Sequence, residues 1–160
     1  MDRTRSSSQV LDDLVAATNS HDLDTLVGCF APDYVLTDPA HPSRSFAGAA
    51  QVRRNWSAFF AAVPDIRMEV EQHTITTGGF WLEARQAGTR LDGVALDTWV
   101  VYLATVTSGR ISSARMHVTP VERDGPGVDA VIGAMTGTSP SKQAREQARA
   151  PSGPGLEQEA

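Results

Sequence analysis

The chain has 160 residues, 41% of them hydrophobic and 21% charged, which suits one globular domain with a substantial core. A net charge of −5 argues against nucleic acid or an anionic membrane surface as partner. A single cysteine, Cys29, excludes an intrachain disulfide and a Cys-based zinc site, and no apolar run approaches the ~18 residues of a membrane span.

Residues 1–8 are polar and expected to be loose, with no apolar stretch of the kind a signal peptide carries, so the expectation is a cytoplasmic protein. The first helix is predicted from Gln9 to Asn19, with Val10, Leu11, Leu14, Val15 and Ala17 along one side. Asn19-Ser20-His21 breaks it, and Asp22 can cap a second short helix carrying Leu23, Leu26, Val27 and Phe30. Cys29 reads as a buried thiol and His21 as a structural residue of the break. Tyr34 to Leu36 is a short strand ending at Asp38-Pro39. Proline disfavours the helical region for its predecessor, so the chain turns there. Gly48 opens a third helix with Val52, Trp56, Phe59, Phe60 and Val63 on one face, and Pro64 stops it.

From Ile66 the periodicity changes to two. Four strands follow: Ile66 to Ile75, Phe80 to Ala87, Leu96 to Val106 and Ile111 to Val121. They are separated by turn chemistry at Gly78-Gly79, Asp92-Gly93 and Ser108-Gly109. Helices first and then a meander predict an α+β fold, a curved antiparallel sheet with helices on one face. Residues 123–160, rich in Gly, Pro, Ser and Ala and without an aromatic residue, are expected to be mostly disordered. Val128 to Met135 could form a transient helix, and Lys142 to Ala150 has helix propensity without an apolar stripe.

Asp38 is the residue with the clearest chemical interest. Facing a cavity, burial would raise its pKa towards that of a useful general base; facing water, it would cap its own turn.

Three stretches carry a resemblance: Asn19-Ser20-His21-Asp22-Leu23-Asp24, Phe30-Ala31-Pro32-Asp33 leading to Asp38-Pro39, and Ser108-Gly109-Arg110-Ile111. Over roughly Val10 to Val121 the chain resembles the nuclear transport factor 2-like superfamily, in its ketosteroid isomerase and SnoaL-like (polyketide cyclase) branches. The resemblance implies a cone-shaped barrel in which the curved sheet wraps around three N-terminal helices and encloses one apolar pocket. It also implies that Asp38 matches the base that moves a proton α to a carbonyl. Other positions depart from the family patterns. The isomerases' helix tyrosine is matched by Leu14, and their late-strand acid falls near Val101, with Asp97 four residues earlier. The limonene epoxide hydrolase Asp-Arg-Asp set falls on Glu83, Trp81 and Met116. The late-strand aspartate of the SnoaL-like cyclases falls in Met116-His117-Val118-Thr119-Pro120, which has no carboxylate.

Alternation along strands then assigns faces, each depending on register. Met68, Val70 and Gln72 are expected to point inward. By superfamily position so are Trp81, Glu83 and Arg85, and alternation adds Asp97, Trp99, Val101 and Leu103 on the long strand and Ala114, Met116 and Val118 on the last. The candidate catalytic set is therefore Asp38, Glu83 and Asp97, with His41 as a rim relay. Leu14, Trp56, Phe59, Met68, Val70, Trp81, Trp99, Val101 and Met116 form the ligand-binding walls. Glu83 could instead pair with Arg85 or Arg54, Asp97 could sit near solvent, His41 could be a solvated loop residue, and the aromatics could simply fill the cone. His117 with Tyr102, Val100 and Leu82 is expected on the outer face, as a homodimer interface. The scattered histidines show no metal-ligand spacing, so no metal is expected. The implied function is a cofactor-free acid–base enzyme (isomerisation, cyclisation or epoxide opening) on a small hydrophobic, ring-containing ligand such as a polyketide or steroid-like compound. Its alternative is a non-catalytic binding or dimerisation module.

Overall fold

A computed structural model describes residues 4–138. The chain divides into two compact units, Met1–Val121 and Glu122–Ala160. The first holds α1 (Ser7–Ser20), α2 (Leu23–Gly28), β1 (Phe30–Thr37), β2 (Phe46–Ala47), α3 (Ala49–Ala62), β3 (Arg67–Thr76), β4 (Gly79–Thr89), β5 (Ala95–Thr107) and β6 (Arg110–Pro120). Of the second, the described part carries one helix, α4 (Val128–Thr136), over the residues expected to form a transient one. The helical stretch read at Lys142 to Ala150 lies outside the described residues.

Of residues 1–8, expected to be loose, 1–3 lie outside the described residues and Ser7 and Ser8 instead begin α1. Ser6 caps the helix by accepting from Gln9 N–H (3.2 Å), and the Gln9 side chain reaches back to Ser6 N–H (2.9 Å). Such a reciprocal box satisfies two otherwise orphaned donors. Arg5 adds a tie across the fold, donating to the Gly28 carbonyl (2.8 Å) and pairing with Asp13 (3.0 Å).

The break between α1 and α2 is read by the sheet. The Asn19 side chain donates to Met68 O (3.0 Å) and accepts from Met68 N–H (2.7 Å), so an amide completes the backbone pairing of edge strand β3. His21 takes the left-handed conformation that ends α1, bonds Ile66 O through Nε2 (2.9 Å) and stacks on Phe60. Asp22 caps α2 by accepting from Thr25 N–H (3.0 Å), as its position predicts. Phe30, expected at the end of α2, starts β1.

The six strands run in the order β2-β1-β6-β5-β4-β3. All neighbours are antiparallel except β1 and β6, which the meander pattern did not foreshadow as a parallel pair. In the β5–β6 turn Ser108 and Gly109 both have positive φ, the geometry that two-residue hairpins favour. The core lies between one face of the sheet and α1 to α3. It is built from Val10, Leu11 and Leu14 on α1, Leu26 on α2, Val52 on α3, and Phe80, Leu82, Ala84, Val100 and Ala104 on the sheet.

That face is the opposite of the one expected on β4 and β5. Across these antiparallel strands Phe80 opposes Ala104, Leu82 opposes Tyr102 and Ala84 opposes Val100, and all six are buried. Trp81, Glu83 and Arg85 share the outer face with Leu103, Val101, Trp99 and Asp97. The reason is visible in β4 itself: one alternate set is Phe, Leu and Ala, the other Trp, Glu and Arg. Only the first can be buried without stranding a carboxylate and a guanidinium. On β6, Ala114 is buried and Met116 and Val118 pack against the core, as alternation predicts. On β3 a bulge between Val70 and Gln72 breaks the alternation, so Gln72 opposes Glu83 on the outer face.

Candidate functional site

The packing of three short helices over a curved sheet leaves a cavity of about 200 Å3. Leu14, Phe30, Tyr34, Leu36, Val52, Met68, Leu82, Val100 and Tyr102 form its buried part. Trp56 and Phe59 from α3, Gln86 from β4, Leu96 from β5 and Met116 and Val118 from β6 add to the lining. Phe59 is 40% exposed and marks the open side. The walls are mostly apolar and aromatic, as small-molecule sites commonly are.

Of the expected wall residues, Leu14, Trp56, Phe59, Met68 and Met116 line the cavity. Val70, Trp81, Trp99 and Val101 do not. Val70 is exposed on edge strand β3, and Trp81, at 55% exposure, stands on the outer face with Trp99 and Val101. The inversion has a counterpart among the expected outer residues. Leu82, Val100 and Tyr102 belong to the cavity, whereas His117 does lie on the outer face, opposite Val101.

The carboxylates do not converge. Glu83 accepts from the Trp99 indole N–H (2.7 Å) and from the Gln72 amide, and these two donors hold its carboxyl below the usual range. Asp97 takes a two-pronged ion pair from Arg85, at 2.6 and 2.8 Å, and Arg54 donates to the Gln51 side chain, so neither arginine is bonded to Glu83. Both acids sit on the outer face and are committed to neighbours there. They cannot share a proton with Asp38 inside the cone.

Asp38 follows the alternation of Tyr34 and Leu36 and is 4% exposed, yet it is absent from the cavity lining. Its side chain folds back into the turn that follows β1. Oδ1 accepts from Ala40 N–H (3.1 Å) and His41 N–H (2.9 Å), Oδ2 lies 3.4 Å from His41 Nδ1, and its own N–H donates to Ser45 Oγ (3.0 Å). Burial acts to raise its pKa. The His41 N–H, the His41 ring and the Ala40 N–H outweigh that, and the carboxyl ends below its ordinary value. This is the reverse of the shift a general base needs. His41, 44% exposed on its side chain, accompanies Asp38 at this turn and is likewise outside the cavity lining.

The polar groups that the cavity does contain were missed in the sequence. The Tyr34 and Tyr102 hydroxyls meet at 2.6 Å, from β1 and β5. Burial pushes Tyr34 up to about 12 and Tyr102 well above its usual value, so both are neutral donors at pH 7. Asn55, Gln86 and Thr98 also line the cavity, with the Thr98 hydroxyl donating to the Gln86 carbonyl (3.3 Å). The available signal was the alternation of Thr98, Val100 and Tyr102 with the purely apolar face of β4. Among the described residues no three His, Cys, Asp or Glu side chains gather as a metal ion requires, and no helix is long and apolar enough to cross a membrane.

No curated protein matches this sequence. Several solved structures share the fold. A protein from Catenulispora acidiphila with a ketosteroid isomerase-like fold, solved with trimethylamine, aligns at 15% identity and TM-score 0.59, over 68% of this chain and 84% of that one. IdmH of Streptomyces antibioticus, a candidate polyketide cyclase, aligns at 23% identity and TM-score 0.60, over 70% and 91%. An LEH-like epoxide hydrolase of M. tuberculosis aligns at 15% identity and TM-score 0.61, over 71% and 82%. The model of the SnoaL-like domain matches residues 11–114, from within α1 to within β6, and the chain belongs to the SnoaL-like domain family.

Proposed function

We propose that this SnoaL-like domain acts in the cytoplasm by taking a small, largely apolar, ring-containing metabolite, such as a polyketide or steroid-like compound, into the cavity between α1–α3 and the sheet. The observation that carries this is the lining itself: Phe30, Phe46, Trp56 and Phe59 offer flat apolar walls, while a few neutral polar groups, the Tyr34–Tyr102 pair, Asn55 and Gln86, can orient a ligand. Among the described residues no carboxylate or imidazole lines the space, which favours binding over proton abstraction.

A second reading, cofactor-free acid–base chemistry (isomerisation, cyclisation or epoxide opening), is favoured by one feature. Asp38 sits two residues beyond the cavity residue Leu36, on the same side of β1 and shielded from water. A rotation out of its turn would be needed to use it. The two readings part on a screen of ring-containing ketones and epoxides for turnover by the full chain and by Asp38→Asn. Binding without turnover supports the first. Turnover lost in the variant supports the second, and equal turnover removes Asp38 from the mechanism.

We further propose that two copies pair through the outer sheet face. Trp81 stands exposed there beside Leu103 and Arg115, along an open trough that also includes Thr37 and Thr105. Sedimentation of the wild type as a dimer and of Trp81→Glu as a monomer supports this pairing; a monomeric wild type contradicts it.

A further inference from the structure

The buried tyrosine pair of the cavity holds one hydrogen-bond donor more than it can use. Two hydroxyls that meet each other at 2.6 Å share a single bond, in which one hydrogen is spent. The hydroxyl that accepts keeps its own hydrogen, and no oxygen or nitrogen among the described residues receives it: neither tyrosine makes a second hydrogen bond. Tyr34 and Tyr102 are both buried, and around them stand Phe30, Leu36, Leu82 and Met116. A donor left over in such surroundings is costly, and a ligand acceptor recovers that cost.

Resting on the reading of the cavity as a ligand site, we propose that the Tyr34–Tyr102 hydroxyl pair is its specificity-determining anchor. It takes a buried acceptor oxygen, that of a ketone, quinone or lactone carbonyl, on the ring system of the ligand. Three features select this chemistry. The free valence of the pair is a hydrogen, so it calls for an acceptor. Both phenols stay protonated well beyond neutral pH, so the anchor is uncharged and fits a neutral carbonyl in an apolar pocket. The acceptance of one hydroxyl by the other polarises the outer O–H and strengthens the bond it gives. The anchor also fixes a direction. Thr98 and Gln86 lie across from one another on β5 and β4, four residues along β5 from Tyr102, about 13 Å at strand rise. A ligand held by its carbonyl at the tyrosines therefore extends its rings along Leu82, Val100 and Met116 towards Gln86 and Thr98.

The test compares two probes of nearly equal shape, α-tetralone and tetralin, which differ by one carbonyl oxygen. Their affinities are measured for the full chain and for the double variant Tyr34→Phe/Tyr102→Phe, whose fold is checked by circular dichroism. Both tyrosines are replaced because either alone would leave a hydroxyl able to serve. The proposal expects α-tetralone to weaken about five- to tenfold in the variant while tetralin stays within about twofold, the size of one neutral hydrogen bond. In the wild type it also expects the infrared carbonyl stretch of bound α-tetralone to lie below its position in a dry apolar solvent, a reading that does not depend on the variant folding. Binding of both probes with no effect of the substitutions on their ratio, or an unshifted carbonyl stretch, overturns the anchor and leaves the pocket standing. Binding of neither probe overturns the pocket and the anchor with it.

Discussion

Asp38 spends one carboxylate oxygen on the N–H groups of Ala40 and His41 and turns the other to the His41 ring. These partners favour the charged form, so its folded pKa lies below its unfolded one. The sign of the pH dependence follows. The stabilisation is fully present above the ordinary aspartate value and is lost as pH falls through the depressed folded pKa. Asp38→Asn keeps an acceptor but removes the charge. Thermal melts should therefore show a constant deficit of the variant above about pH 5 and a shrinking deficit below about pH 4. A deficit that grows on acidification would mean that Asp38 is held protonated, as a buried general base would be. Asp38→Ala strands two turn N–H groups and should lower the melting temperature by about 2–5 °C. Asp38-Pro39 was readable as a turn at a strand end. Which way the carboxylate points depends on backbone N–H groups two and three residues later, and residue identity does not encode those.

The assignment of faces to β4 and β5 carries the whole site. Superfamily position suggested that Trp81 and Glu83 face inward, while the amphipathic pattern of β4 alone favours Phe80, Leu82 and Ala84. The local pattern prevails, because a one-residue change of register would bury Glu83 and Arg85 and expose three apolar side chains. Leu82→Ala should cost about 2–4 kcal/mol in urea unfolding, whereas Trp81→Ala should cost under about 1 kcal/mol. The reverse ranking would restore the other face. Gly79 gives a second check at the β3–β4 turn. A Cβ there would meet the Ala104 carbonyl oxygen at 1.9 Å, while none of the chain lies within 4 Å of one at Gly78. Gly79→Ala should therefore destabilise by more than about 3 kcal/mol and Gly78→Ala by less than about 1. Strand existence, helix existence and the inward set on β6 were legible from periodicity. The β3 bulge and the parallel pairing of β1 with β6 were not, since both arise from backbone geometry that alternating side chains do not record.

Taken as a whole, the Met1–Val121 unit resolves a competition between filling its interior and leaving it hollow. Val52, Leu36 and Leu82 line the space from three elements, and Trp56 and the half-exposed Phe59 stand at its open side. The resemblance carried by Asn19 to Asp24 and by Asp38-Pro39 anticipated that hollow. It did not anticipate its chemistry, because the acids it pointed to lie in a turn and on the outer face. The central claim is that ligands enter on the Leu82–Val100 side of the sheet. It is tested most directly by an amide-resolved NMR titration of the full chain with tetralin. The account predicts saturable shifts at Leu36, Val52, Leu82 and Val100, with Trp81, Trp99 and Val101 unmoved, and their loss in Val52→Trp, which fills the space. Shifts centred on Trp81 and Trp99, or unchanged titration of the filled variant, would contradict it.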